Sequence, residues 1–145
     1  MADCSWIRLE DAVLTALEAQ LGAQVKTLQS YQGDWQSGLQ RESWRLPAVL
    51  VGLRQARGER VSTRSYDLTL DFTLLAIVRN LRRDTAVKPQ NGSQQILAGI
   101  RQALWHQDLG LEILPFSLVL EEPLLTTREF TVYAAHYRTA AVRDL

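Results

Sequence analysis

The sequence predicts an α+β domain in which two helices pack on one face of a mainly antiparallel β-sheet. Two segments place apolar residues at the three- and four-residue spacing of amphipathic helices, and five others have the alternation or continuous apolar runs of strands. Short turns join neighbouring strand segments, which favours antiparallel pairing. Because the chain has 145 residues and no repeat or long linker, we expect one domain over residues 1–145.

The first elements lie in the N-terminal third of the chain. Residues 5–21 are predicted to form a helix, with Ser5 as its N-cap and Gly22 as its stop. Residues 25–31 have β-branched and aromatic character with weak alternation, which is typical of an edge strand. Residues 32–46 are polar, and we interpret them as a loop with room for one short helix.

The middle of the chain predicts two long strands. Residues 46–53 form an apolar run opened by Pro47, which indicates a strand buried on both faces. Residues 66–74 alternate strictly, with apolar side chains at even numbers and Asp or Thr at odd ones. Residues 75–78 are apolar on both faces. Something must therefore cover that end of the strand.

The C-terminal third predicts a helix followed by two strands. Residues 93–106 carry an apolar helical stripe, with Ser93 as the expected N-cap. Residues 111–120 and 129–139 have strand patterns, and we expect residues 121–123, Glu-Glu-Pro, to form a stop and turn between them.

Composition excludes several classes of protein. Sixteen basic residues balance sixteen acidic ones, which argues against a main role in coating nucleic acid or anionic membranes. Cys4 is the single cysteine, so the chain has no intramolecular disulfide and none of the common zinc-cluster spacings. No apolar run approaches the roughly 20 residues of a membrane-spanning helix. We expect no cofactor and no metal.

The two histidines, His106 and His136, are the candidate catalytic residues. His106 falls at a predicted helix end, where a histidine commonly meets the terminal carbonyl groups. His136 lies on a predicted strand, and its functional alternative is a general base paired with Glu121 or Glu122. Nothing in the spacing requires that pairing, so a structural histidine and a general base both stay open.

Arginine dominates the basic residues, with fourteen of the sixteen. Its planar, forked guanidinium suits protein interfaces and phosphate contacts. Seven arginines form two groups of candidate partner-contact loops, one at the predicted hairpin tip (Arg54, Arg57, Arg60 and Arg64) and one after the long strand (Arg79, Arg82 and Arg83). The alternative is two solvated loops with local acidic neighbours. If the strands pair as a hairpin, the groups project from opposite ends of the sheet.

Tryptophan is frequent for a chain of this length, and two tryptophans lie in a segment with little other core pattern. Trp35 and Trp44 both belong to the polar stretch of residues 32–46. Such side chains either fold back on the domain or contact a partner. We treat them as a candidate interface.

Five apolar segments follow one another in the chain, at residues 46–51, 68–78, 96–104, 109–116 and 133–139. Together they resemble the small tail proteins of Mu-like phages and prophages, over about residues 9–139. The resemblance implies a non-enzymatic structural protein of the virion tail, assembled in the host cytoplasm. Its expected role is similar to that of the tail terminators of long-tailed phages.

Tail terminators form a ring, commonly of six subunits, on the last ring of the tail tube. There they stop tube growth and present a surface for head joining. The resemblance therefore implies as partners further copies of this chain, the tail tube protein, a neck or head-completion protein and, transiently, DNA in the lumen. It implies no catalytic residues, no membrane and no small-molecule substrate.

A ring suggests uses for the features described above. The arginine groups would face the tube, the neck or DNA, and a neighbouring subunit would cover Leu75 and Ile77. Three alternatives stay open. They are a neck or head–tail connector adaptor, a small α+β enzyme that uses His136, and a nucleic-acid-binding regulator, which the zero net charge disfavours.

Overall fold

The computed structural model describes residues 6–41, 44–60, 65–80 and 92–144. Within them the chain forms eight elements in the following order: α1 (Trp6–Leu21), β1 (Thr27–Ser30), α2 (Trp35–Gln40), β2 (Ala48–Arg60), β3 (Ser65–Arg79), α3 (Ser93–Leu104), β4 (Ser117–Thr126) and β5 (Phe130–Asp144).

All five strands belong to one sheet with the order β1-β2-β3-β5-β4. The four long strands pair antiparallel, and β1 pairs parallel with the first four residues of β2. The α+β class and the mainly antiparallel sheet are therefore confirmed. The edge position predicted for the first strand is also confirmed, because β1 has a neighbour on one side only among the described strands.

Helices α1 and α3 pack together on the first face of the sheet, the face that carries Phe72 and Tyr137. The apolar stripe of α1 is fully buried, with Leu17 and Leu21 at 0% exposure. The helices approach closely, since a Cβ atom at Gly99 would lie 2.3 Å from Cδ2 of Leu21. Burial of each such leucine contributes about 2 kcal/mol to folding. Two helices on one face are as the sequence predicts.

The second face has its own apolar cluster, which the short helix α2 covers. Leu39 of α2 packs with residues of four strand segments, among them Leu75 and Ile77. These two side chains are 1% and 0% exposed within the single chain. The prediction that a neighbouring subunit covers them is therefore wrong, because the polar segment before β2 folds back over this end of the sheet.

Three boundaries differ from the sequence predictions. Strand β2 continues to Arg60, where a loop was expected after residue 53. Strand β4 runs through residues 121–123, the expected stop and turn. An edge strand tolerates Pro123, and register shifts on both sides of it absorb the irregularity.

The ends of the second predicted helix also differ. Gly92, with φ 82°, takes the N-cap position in place of Ser93 and makes no side-chain capping bond. The helix α3 ends at Leu104, two residues before the expected end at His106, which has φ 69°. Ser5, the expected cap of α1, lies outside the described residues. None of the described helices has the length and apolar character needed to cross a membrane.

Candidate functional site

Strands β2, β3 and β5 continue together beyond the ends of β1 and β4, and β2 forms the outer strand of this extension. Strand β1 accompanies β2 only as far as Val51, and every residue of β2 from Arg54 to Arg60 is exposed. We call residues 54–60 the β2 arm. Among the described strands none pairs with its outer side, so the arm presents an open backbone edge.

The described arginines of the first group lie on this arm. Arg54, Arg57 and Arg60 occupy strand positions, where the sequence predicted a loop, and Arg60 lies opposite Tyr66 at the hairpin end. Arg79 ends β3 at the other end of the sheet, with its guanidinium carbon 5.2 Å from the centre of the Phe130 ring. The described arginines thus project from opposite ends. Their contact with partners stays a prediction.

Three other arginines belong to the two groups named from the sequence. Arg64, Arg82 and Arg83 lie outside the described residues.

A buried carboxylate supports the arm where it joins the body. Asp71 is 4% exposed and accepts hydrogen bonds from Nε of Arg138 at 2.7 Å and from Nε2 of Gln55 at 3.0 Å. Burial alone would raise the pKa of Asp71, but these hydrogen bonds and the charge of Arg138 outweigh it and hold the pKa below its usual range. This carboxylate is charged at neutral pH and ties three strands together.

His136 lies beside this group, between a hydroxyl and a carboxylate. Its Nε2 is 3.0 Å from Oε2 of Glu122, and its Nδ1 is 3.0 Å from Oγ1 of Thr73. In the neutral tautomer that donates to Glu122, Nδ1 accepts the proton of the Thr73 hydroxyl. The pairing that the sequence left open is therefore with Glu122.

Glu121, the alternative partner of His136, faces the opposite side of the sheet. Arg101 donates to both of its oxygens, from Nε at 2.9 Å and from a terminal nitrogen at 3.2 Å. Hydrogen bonding to Glu121 raises the pKa of Arg101, so the guanidinium keeps its charge. It fastens β4 to α3.

A cavity of about 520 Å³ lies where β1 ends and the open edge of β2 begins. Its wall includes Tyr31, Leu53, Arg54 and Thr73. Gly52 permits the close approach of Tyr31 to the sheet, since a Cβ atom there would lie 2.9 Å from the Tyr31 ring. The cavity therefore combines apolar and polar groups, among them the guanidinium of Arg54, the carboxylate of Glu10 and the hydroxyls of Tyr31 and Thr73.

The opposite edge of the sheet, β4, carries an apolar surface that the sequence predictions missed. Every large apolar side chain that the described residues leave exposed lies in residues 105–124, with Leu114 the most exposed at 63%. Val119, Leu120 and Leu124 belong to β4 itself. We call these three the β4 apolar edge. The sequence signal for this edge is the apolar run before Glu121, which is equally typical of a strand inside a sheet.

The two candidate tryptophans fold back on the second face. Trp35 and Trp44 are half-buried and pack against the cluster around Leu39. A Cβ atom at Gly38 would lie 2.4 Å from the Trp44 ring, so this glycine makes room for it. Their buried sides stabilise the fold, and partner contact through their exposed sides stays a prediction.

The described residues contain no group of three or more His, Cys, Asp or Glu side chains that is able to hold a metal ion.

Comparison with known families identifies a match over most of the chain. Residues 5–141 match the family described as Bacteriophage Mu, Gp37. No curated protein matches the chain.

Proposed function

The chain belongs to the bacteriophage Mu Gp37 family of phage structural proteins, and we propose that it ends the growth of the tail tube. In this role copies of the chain form a ring on the last ring of the tube. The ring blocks further addition of tube subunits and presents the surface on which the head is joined. It is then a component of the virion tail.

The family match carries this proposal, and the distribution of exposed groups supports it. A terminator has different partners at its two ends, because one side meets the tube and the other meets the neck. The described members of the two arginine groups lie at two ends of one sheet, on the β2 arm and at Arg79. Arginine forms strong, geometrically specific contacts with carboxylates and phosphates, so each end has the means to bind a different partner.

Tail length tests the proposal. Particles are assembled with and without the protein and their tails are measured by electron microscopy. Overlong tubes without heads are expected in its absence. Tails of normal length without joined heads would contradict the terminator role and indicate a neck adaptor, and normal tails with joined heads would exclude both.

One observation favours a second candidate function. Thr73 lines the cavity and lies within hydrogen-bonding distance of His136, which is oriented in turn by Glu122. A hydroxyl, a base and an orienting carboxylate in this order are the elements of nucleophilic catalysis. The replacement His136→Ala separates the two functions. It leaves tail capping intact if His136 only ties strands together, whereas loss of a general base lowers a reaction rate by about 10²–10⁴.

A further inference from the structure

We propose that the β4 edge of one copy docks on the open β2 edge of the next, so that one sheet continues from subunit to subunit around the ring. The contact joins the β4 apolar edge of one chain to the β2 arm and cavity of its neighbour. This inference rests on the proposed function, since it names the contact by which the ring closes.

Both edges have backbone groups available for pairing. The described strands leave β4 without an outer neighbour, and they leave β2 without one beyond Val51. An exposed apolar edge strand is a site of association unless the protein protects it. Pro123 and the two register shifts interrupt β4 locally, but Val119, Leu120 and Leu124 stay 43–46% exposed. Such an edge is stabilised by a partner.

The strand directions fit this contact. Strands β2 and β3 run antiparallel, as do β3 and β5, and β5 and β4. Therefore β4 runs opposite to β2. A second copy set beside the first in the same orientation places its β2 antiparallel to β4, which continues the pattern of the sheet.

The side chains on the two edges are complementary. The cavity beside the β2 edge has Tyr31 and Leu53 in its wall, and these suit an apolar side chain from the β4 apolar edge. The β2 strand beyond Leu53 carries three arginines and one glutamate, whereas β4 carries two glutamates and no basic residue. Glu121 is paired with Arg101 within the chain, so Glu122 is the acidic group that β4 offers to a neighbour. Opposite charges on the two edges favour this pairing over the pairing of either edge with its own copy.

In the proposed continuous sheet, the carboxylate of Glu122 and the guanidinium of Arg57 lie on the same face. Arg57 lies opposite Thr69 of β3. On β5, Ala134 lies opposite Leu75 of β3 on one side and opposite Glu122 of β4 on the other. Thr69 and Leu75 are six residues apart on β3, so their side chains share a face. A continuous sheet therefore brings Glu122 and Arg57 to the same side. The Glu122 side chain is 46% exposed despite its contact with His136.

Each chain has one edge of each kind, on opposite sides of the sheet. Contacts between unlike surfaces are heterologous, and they generate a ring when the rotation between subunits closes. Because β1 blocks the first four residues of β2, the incoming β4 lies on the side of the arm. Registers in which β4 of the neighbouring copy would overlap β1 are thereby excluded.

Cysteine crosslinking in assembled tails tests the contact. In a Cys4→Ser background, Leu120→Cys is combined with Arg54→Cys or with Arg57→Cys, all three at exposed positions. Oxidation is expected to give a ladder of covalent oligomers with at least one of these pairs, since each copy links to the next. Each single-cysteine variant gives no ladder. The matched control combines Leu120→Cys with Glu18→Cys on the exposed side of α1, and no ladder is expected.

Loss of the apolar contact provides the second measurement. Val119→Lys combined with Leu120→Lys is expected to leave the chain folded, because both side chains are exposed, and to reduce tail capping by more than about tenfold, because lysines would meet the arginines of the β2 arm. The circular dichroism spectrum checks the fold.

The outcomes separate this inference from the proposed function. Absence of a ladder while the protein is bound to tails overturns the contact, as does crosslinking of Leu120→Cys to the tube protein instead. Overlong tails without the protein, together with normal capping by the doubly substituted variant, leave the terminator role standing and also overturn the contact. A ladder on particles whose tail length does not depend on the protein supports the contact and removes the terminator role.

Discussion

The two faces of the sheet are covered in different ways. Two helices of 16 and 12 residues lie across the first face, and their apolar stripes and those of the strands form one large cluster. On the second face a helix of six residues covers only one end, while hydrogen-bonded polar groups occupy the middle. Periodic apolar stripes therefore specify the first face, whereas a few individual contacts hold the second face together.

The largest effect is expected on the first face. Leu17→Ala removes a fully buried side chain beneath α1 and leaves a cavity, which should lower the free energy of unfolding by about 3 kcal/mol. Urea unfolding followed by circular dichroism measures the change. Thr15→Ala, at an exposed position of the same helix, is the control and should change the free energy by less than about 0.5 kcal/mol. Equal effects of the two replacements would contradict the assignment of this face as the main core.

A smaller effect is expected where a tryptophan covers the second face. Gly38→Ala places a methyl group against the rigid Trp44 ring, which must move, and should lower the free energy of unfolding by about 2 kcal/mol. Tryptophan fluorescence in the folded state should shift to longer wavelength as Trp44 becomes solvated. Gln36→Ala, exposed on the same helix, is the control. An unchanged spectrum and an unchanged midpoint would contradict the role of Trp44 as a cover.

The pH dependence of the stability of an Asp71 variant tests the polar part of the second face. Asp71→Asn removes the charge that Arg138 and Gln55 stabilise and should cost about 1.5 kcal/mol at pH 7. Because the folded-state pKa of Asp71 is depressed, its contribution is complete above the unfolded pKa of about 3.9 and is lost as pH falls through the folded value. The difference between wild type and variant should therefore shrink in acid.

Unfolding free energies at neutral and acidic pH measure this difference. Glu59→Gln, at an exposed position of the β2 arm, serves as the control and should have little effect at pH 7. A deficit of Asp71→Asn that stays constant down to the lowest pH would show that the charge of Asp71 does not stabilise the fold.

The smallest effect is a gain in stability on the first face. Tyr137 is fully buried, and its hydroxyl has no hydrogen-bond partner among the described residues. Burial raises the pKa of Tyr137, and the charge of Glu121 raises it further, so the phenol stays neutral. Tyr137→Phe removes an unsatisfied polar atom and should raise the free energy of unfolding by about 1 kcal/mol. Tyr133→Phe, half-buried, is the comparison, and a loss of stability at position 137 would reveal a hydrogen bond to its hydroxyl.

Much of the first face was predictable because its signal is local. The spacing of Leu9, Val13 and Leu17 predicts which side of α1 is buried, and all three are 0% exposed. The even-numbered apolar residues of β3, such as Phe72, face the same core. Burial of a stripe depends on a period of two or 3.6 residues, and a sequence displays that period directly.

The second face and the sheet edges were less predictable because their contacts join distant segments. The odd-numbered Leu75 and Ile77 gave evidence that something covers them, but not that α2 of the same chain does so. Likewise, the apolar residues of β4 read as ordinary strand, and only their place at the end of the strand order leaves them exposed.

The α+β class, the long antiparallel strands and the helices of the first face were predictable from the amino-acid sequence, since they follow from periodic patterns within single segments and the short turns between them. The sequence also carried the resemblance to Mu-like phage proteins, which the family match over residues 5–141 supports. The contact of His136 with Glu122, the coverage of Leu75 within the chain and the exposure of the β4 edge became visible in the folded chain alone. These depend on strand order and loop paths, which arise from contacts between residues far apart in sequence.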